Sequence, residues 1–292
     1  MNSRNNDPER IVPRENIDFG LDASIPRYWY DNDPYKTRVM DGMQLYFPDG
    51  ERYFITSVRP YRERITDPVL ARHVKDFIRQ EGQHGIAHTR FNQLLREQGL
   101  PVEEMLALQC ERNAHWLNHY SADFNLALTA AFEHFTALLA EAFFSRKEVM
   151  AGADPRVKAL FAWHAIEEME HKAVVFNVMT TVARVGYFKR CAAMLYATWQ
   201  MTYETYRSTD VLLKGDGFGW LARKRMFISH LPWMYGRKGI FSCFTGKIIE
   251  YLKPGFHPDD IPVVHNYPHW IEAYSQSGDP GKACEAMLAA AH

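Results

Sequence analysis

Apolar positions along the chain recur at steps of three and four, and no stretch shows the step of two that marks a half-buried strand. The period predicts helices over residues 35–47, 51–65, 68–98, 101–119, 121–149, 155–185 and 187–206, with a short final helix over 270–291. Pro48-Asp49-Gly50 reads as a break between the first two, and Pro60 as a bend or an early end to the second. Asp67-Pro68 and Asp154-Pro155 each set a capping carboxylate before a proline at the first helical position. Residues 1–34, punctuated by four prolines, read as an arm. Beyond residue 206, glycines and prolines cut the pattern into shorter pieces, and 254–268 reads as an extended connection. The predicted class is all-α: a helical bundle over 35–206, preceded by the arm and followed by a C-terminal helical cap over 207–292 that belongs to the same domain.

Two of the apolar stripes are interrupted by groups that are expensive to bury. On the helix after Asp67, the seam of Val74, Phe77, Ile78, Phe91 and Leu95 runs through Glu81, His84 and His88. On the helix after Asp154, the seam of Val157, Leu160, Phe161, Val174 and Val178 runs through His164, Glu168 and His171. Glu133 sits between Leu126, Ala130 and Ala137, and Glu51 lies one turn before Phe54, Ile55 and Val58. A buried carboxylate must be paired, protonated or on a metal. Four segments thus bring acid to a core face in the order Glu, Glu-x-x-His, Glu, Glu-x-x-His, which is the ligand plan of a di-metal carboxylate site in a four-helix bundle. Such mixed carboxylate and imidazole ligation suits iron or manganese.

Each residue also has a plainer reading. Taken singly, Glu51 is a first-turn acid favoured by the helix dipole, and Glu133 is as readily a surface residue. His88 and His134 read as core or supporting groups rather than ligands, and Glu141, two turns from Glu133, as a further supporting group. Glu167 and Glu170 are expected to face solvent or a neighbouring helix. Gly82 and Gly85, each costing about 1 kcal/mol in a helix interior, hint at close helix contact, a local bulge or room for a ligand.

Composition narrows the function classes. The chain has 292 residues with 34 Lys+Arg against 35 Asp+Glu, so no global charge recruits nucleic acid. Its four scattered cysteines form no CxxC, which argues against a disulfide framework or a thiolate zinc site and fits a reducing compartment, the cytoplasm. The polar first 13 residues lack the apolar core of a signal peptide, and no run reaches the roughly 20 apolar residues of a membrane span. No GxSxG elbow, phosphate loop or dinucleotide fingerprint occurs.

The order of candidate ligands resembles that of the ferritin-like di-iron carboxylate superfamily. More closely, the chain resembles a bacterial family labelled "predicted metal-dependent hydrolase", on Phe47-Pro48-Asp49-Gly50-Glu51-Arg52, Phe77 to His84, Trp163 to Lys172 and Tyr251 to Pro258, over roughly residues 20–275. The run His164-x-x-x-Glu168-x-x-His171 adds a histidine and makes the set similar to that of di-iron arylamine N-oxygenases. That resemblance implies seven ligands: Glu51 and His84 on one iron, Glu133, His164 and His171 on the other, and Glu81 and Glu168 bridging.

The expected function is an O2-dependent di-iron oxidase or oxygenase acting on a small or lipid-like molecule. Two iron ions are the expected cofactor, with manganese or zinc as alternatives, and electrons come from a separate reductase or from the substrate. The alternative is a di-metal hydrolase. A second alternative is a non-enzymatic metal-binding or membrane-surface protein, since basic and aromatic residues mingle over 218–253. There the glycines favour a plain folded cap, because they interrupt any sustained amphipathic helix. Aromatics in the first 50 residues, read as exposed, suggest a homodimer.

Overall fold

The structure is a computed structural model and describes residues 11–292. Among the described residues it is all-α; the one β-type pairing is an isolated bridge between Tyr30 and Ala153. The helices, in chain order, are α1 (Pro34–Gln44), α2 (Phe47–Val58), α3 (Pro68–Glu97), α4 (Val102–His119), α5 (Ala122–Phe144), α6 (Pro155–His171), α7 (Val174–Asn177), α8 (Tyr187–Gly215), α9 (Trp220–Tyr235), α10 (Phe244–Tyr251), α11 (Tyr267–Ser277) and α12 (Pro280–Ala289).

The side-chain caps fall where the sequence placed them. Asp67 accepts from the Val69 amide, Ser121 from Phe124 and Asp154 from Arg156, each satisfying a donor that the first helical turn leaves free. Four boundaries differ from expectation. Pro48-Asp49-Gly50 is no break: Pro48 lies in the first turn of α2, where its missing N–H costs nothing. Pro60, by contrast, acts as expected: α2 ends early, at Val58, and the proline lies in a 3-10 segment, Arg59–Arg64. α6 stops at His171, and α7 leads into a π-helical turn, Val178–Val182, rather than one helix to 185. α8 runs through 206 to Gly215, so the expected border between bundle and cap falls inside a helix. At the C-terminus, Gly278 in the left-handed region (φ 63°) divides α11 from α12 where one helix was expected.

α2 packs on α3 and α5, and α6 packs on α5 and α3, so four helices close a ring. α8 lies against α1 and α5, and α12 against α6. The α1–α8 crossing is close: a Cβ on Gly42 would overlap the Ser208 hydroxyl. The apolar interior divides into two clusters. One holds Phe91, Leu95, Leu139, Phe143, Leu160 and Trp163, and the other Phe54, Val74, Phe77, Leu126, Phe132 and Val175. α3 and α5 contribute to both, while α6 belongs to the first and α7 to the second. On α3 the switch from one cluster to the other falls between Phe77 and Ala87, at the turns that carry Glu81 and His84.

Phe19, Trp29, Tyr30 and Tyr35, read as exposed, are all buried in the first cluster, whereas Tyr28, Tyr46 and Phe47 are half-buried. α5 is the one helix among the described residues long and apolar enough to cross a membrane, and 89% of that stretch is buried inside the protein.

Candidate metal centre

Seven side chains from the four ring helices converge between the two apolar clusters. α2 brings Glu51, α3 brings Glu81 and His84, α5 brings Glu133, and α6 brings His164, Glu168 and His171; none is more than 5% exposed. The i, i+3 and i, i+4 spacings put Glu81 with His84, and His164 with Glu168 and His171, on single helix faces. Ligand atoms of Glu51, His84 and His164 lie within 4.8 Å of one another, as do those of Glu81, Glu168 and His171. Glu133 Oε2 is 3.1 Å from His171 Nε2. Two carboxylates span both groups. Glu168 Oε1 is 2.8 Å from His164 Nε2, while its Oε2 is 3.3 Å from His171 Nε2. Glu81 Oε1 is 3.1 Å from His171 Nε2 and 4.0 Å from His84 Nδ1.

The grouping carried over from the N-oxygenase resemblance needs one correction. His164 does not join Glu133 and His171. Its ring stacks on His84 at 4.1 Å, and its Nε2 faces Glu51 Oε1 at 3.8 Å. The reason is helical: His164 is nearly two turns before His171, about 10 Å along the axis, and reaches the opposite end of the pair.

Each imidazole is held by its other nitrogen, and the partners fix the tautomers. His171 Nδ1 is 2.9 Å from the acceptor Gln80 Oε1, and Gln80 Nε2 donates to Glu170 Oε2 at 2.8 Å. His84 Nε2 is 3.1 Å from Glu167 Oε2, whose partner oxygen accepts from the Trp163 indole and the Arg14 amide. His164 Nδ1 is 2.6 Å from His88 Nε2; His88 Nδ1 is 3.2 Å from Gln44 Oε1, and Gln44 Nε2 donates to Asn92 Oδ1. An amide oxygen can only accept, so protons sit on Nδ1 of His171 and His88, and therefore on Nδ1 of His164. Burial raises Glu167 to about 8, and it is the ionised form that draws the His84 proton to Nε2. Nδ1 of His84 and Nε2 of His164 face the centre, and so does Nε2 of His171, which, against its burial, the carboxylates of Glu168 and Glu133 hold protonated well above the usual imidazole range until a cation takes the proton's place. Orientation of ligand imidazoles by such outer partners is characteristic of metal sites.

The carboxylates point the same way. Both oxygens of Glu51, Glu81 and Glu133, together with His84 Nδ1 and His171 Nε2, are buried without a hydrogen-bond partner. Buried polar groups are normally satisfied, so this cluster of orphans fits a pair of cations. Burial, with Glu168 and Glu133 close by, pushes Glu51 well above the usual carboxylate range. Burial and Glu133 do the same to Glu81, and burial raises Glu133 to about 7. Burial would raise Glu168 too, but His171 and His164 outweigh it and hold Glu168 well below. Four ionised carboxylates here therefore need positive charge brought from outside. One cation would lie among Glu51, His84 and His164, the other beside Glu133 and His171, with Glu81 and Glu168 between them.

Several supporting residues were missed or misread from the sequence. Of the two places expected for Glu167 and Glu170, solvent or a neighbouring helix, the second holds: they meet His84 and Gln80 of α3, and Arg14, which was missed, grips both, its guanidinium 3.2 Å from Glu167 and 2.7 Å from Glu170. Thr136 donates to Glu168. Gln80 adjoins Glu81 in sequence, a signal that neighbours of a ligand can hold the next one. Arg14, from the arm, leaves no such signal. His134 and Glu141 do not support the centre. His134, about 100° round α5 from Glu133, packs on Tyr251 and Phe256, and burial lowers it to about 4. Glu141 lines a separate small cleft with His134 and Lys172. Of the two unusual glycines, only Gly85 meets the site: a Cβ there would lie 3.4 Å from Glu51 Oε2, whereas nothing stands within 4 Å at Gly82.

A narrow cleft with room of about 100 Å³ reaches Glu51, His164 and Glu168 from the surface between α4 and α8. Its walls are chiefly apolar, among them Phe47, Phe54, Trp116, Phe132 and Met201. Arg112 and Glu204, ion-paired at 2.6 Å, form a part-exposed polar rim.

No curated protein and no solved structure matches the chain. Residues 13–261 match a family described as "Predicted metal-dependent hydrolase", a stretch that takes in all seven converging residues, Arg14 and the cleft. The chain belongs to this predicted metal-dependent hydrolase family.

Proposed function

We propose that this protein is a two-metal enzyme acting on an elongated, mostly apolar organic molecule. The observation that carries the reading is the cleft, which joins apolar walls to Glu51, His164 and Glu168. The family description makes hydrolysis the first reaction class to test. A metal pair held by these seven residues would supply an activated water and polarise the oxygen of the scissile bond. The chain's own residues set where that chemistry occurs. Phe47, Phe54 and Phe132 exclude bulk water and align an acyl or aryl chain, the Arg112–Glu204 pair holds the polar end at the rim, and Thr136 fixes the carboxylate of Glu168.

A second reading, O2-dependent oxidation by a di-iron form, draws support from the donor set. Four carboxylates and three imidazoles with no thiolate, sealed inside a bundle, suit iron or manganese.

One experiment separates the two. The protein is loaded anaerobically with Fe(II), Mn(II) or Zn(II), and acyl esters of graded chain length are offered with and without O2. Hydrolysis without O2 that rises with chain length and vanishes in Glu81→Ala supports the first reading. O2 consumption by the iron form alone, stoichiometric with product, supports the second. Neither activity with any of the metals, while they stay bound, would overturn the enzyme assignment.

A further inference from the structure

The surface above the cleft is unlike the rest of the molecule. Residues 187–253 hold 11 Lys/Arg against 4 Asp/Glu, in a chain whose totals are balanced. Six of those basic residues are exposed, Lys224, Arg225, Arg237 and Lys238 among them; of the four acids, Asp210 and Glu250 reach the surface in part, 3.6 Å from Lys224 and 3.5 Å from Lys247. Of the 14 large hydrophobic residues exposed among the described ones, 10 lie in this same stretch.

They are arranged by helix geometry, not scattered. On α8, Phe188, Leu195 and Trp199 follow at steps of seven and four and form one outward stripe, with Phe188 85% exposed and Trp199 stacked on Tyr203. α9 is an unbroken helix of 16 residues, so the glycines expected to interrupt it lie outside. Its exposed face mixes Leu221, Ile228 and Tyr235 with Lys224 and Arg225, and α10 adds Ile249. α8 packs against both α9 and α10. Beneath α8, a second apolar groove, lined by Phe135, Phe244 and Ile248, shares Met43, Met201 and Thr205 with the cleft that reaches the candidate metal centre.

We infer that the outer face of α8, α9 and α10 docks on the surface of an anionic phospholipid bilayer. The apolar stripe enters the acyl boundary, and Lys224 and Arg225 meet the headgroup charge. A second copy of this chain fits the face poorly, because a two-fold contact joins the face to itself and so doubles its excess of 11 Lys/Arg over 4 Asp/Glu without bringing an acidic complement. The groove beneath α8 then connects the bilayer to the cleft, which deepens the proposed function by naming lipid-derived acyl chains as the substrate class. The docking itself does not depend on that function.

The test is co-sedimentation of the full chain with phosphatidylcholine vesicles, with and without phosphatidylglycerol. The expected result is binding to the anionic vesicles that weakens as salt rises. Reversing charge in Lys224→Glu/Arg225→Glu lowers affinity on the order of tenfold, and Leu195→Glu/Trp199→Glu abolishes binding. Both variants alter exposed side chains, and an unchanged circular dichroism melt shows that they fold. Quenching of tryptophan fluorescence by brominated lipid, lost in Trp199→Phe/Trp220→Phe, places this face in the bilayer. No binding to either vesicle, binding unaltered by both charge and apolar variants, or a dimer in solution that Leu195→Glu/Trp199→Glu dissociates would each overturn the inference. Metal loading and turnover are read separately, so failure here leaves the proposed reaction standing.

Discussion

His88 Nε2 lies 2.6 Å from His164 Nδ1, and His88 is in turn held through Gln44 and Asn92 to the backbone of Leu45. A histidine that touches no carboxylate of the centre thereby sets the ring plane and tautomer of one that does. His88→Ala removes the acceptor and leaves the His164 N–H buried without a partner. Supporting-group changes of this kind cost about 10–100-fold in metal affinity. The loss should fall on the cation nearest Glu51, His84 and His164 and spare the one beside Glu133 and His171. Competitive chelator titration, resolving a weakened and an unchanged step, checks this; equal weakening of both would contradict the chain of contacts.

Arg14 ties the arm to α6 through Glu167 and Glu170 and also lies over the Trp270 ring at 5.2 Å. Arg14→Ala leaves two buried carboxylates without their cation. Breaking a buried pair from one side costs about 3–5 kcal/mol, so denaturant unfolding should show a loss of that order. Arg14→Ala/Glu167→Gln/Glu170→Gln should recover much of it, because the stranded charges are gone. No recovery would assign Arg14 a packing role instead.

The orphaned carboxylates predict a stability change whose sign depends on metal. In the metal-free protein Glu81 is buried beside Glu133 and carries no hydrogen bond. Glu81→Gln removes a charge that folding must desolvate, and should raise metal-free stability by about 1–3 kcal/mol. In the metal-loaded protein the same change should lower stability, since less of the binding free energy is added to folding. Thermal melts with and without a chelator test the crossing; a shift of the same sign in both would argue against a metal role for Glu81.

The fold was legible wherever local chemistry decides it. Asp67, Ser121 and Asp154 announce their helices because a cap acts within three residues. The end of α6 at His171 was not legible, because Val174, Val175 and Val178 continue the apolar period past the turn at 172–173. The extension of α8 to Gly215 was hidden too: Thr209, Leu212 and Leu213 are buried by tertiary packing that no single-helix pattern states. At the centre, Glu81, His84, His164, Glu168 and His171 stood out because charge on an apolar stripe is costly. Their division between two cations was not readable, since it depends on how α3 and α6 are offset along their axes. The cation that holds Glu167 and Glu170 was missed for a related reason: Arg14 lies over 150 residues away in an arm without periodicity.

Metal stoichiometry by equilibrium dialysis and elemental analysis tests most directly the idea that these buried groups form a paired cation centre. The wild type should retain about two divalent ions per chain. Glu51→Ala and Glu133→Ala should each keep about one, at opposite ends of the pair, while Glu81→Ala/Glu168→Ala should keep none. A wild-type chain that holds no metal, or holds as much as Glu81→Ala/Glu168→Ala, would contradict the account.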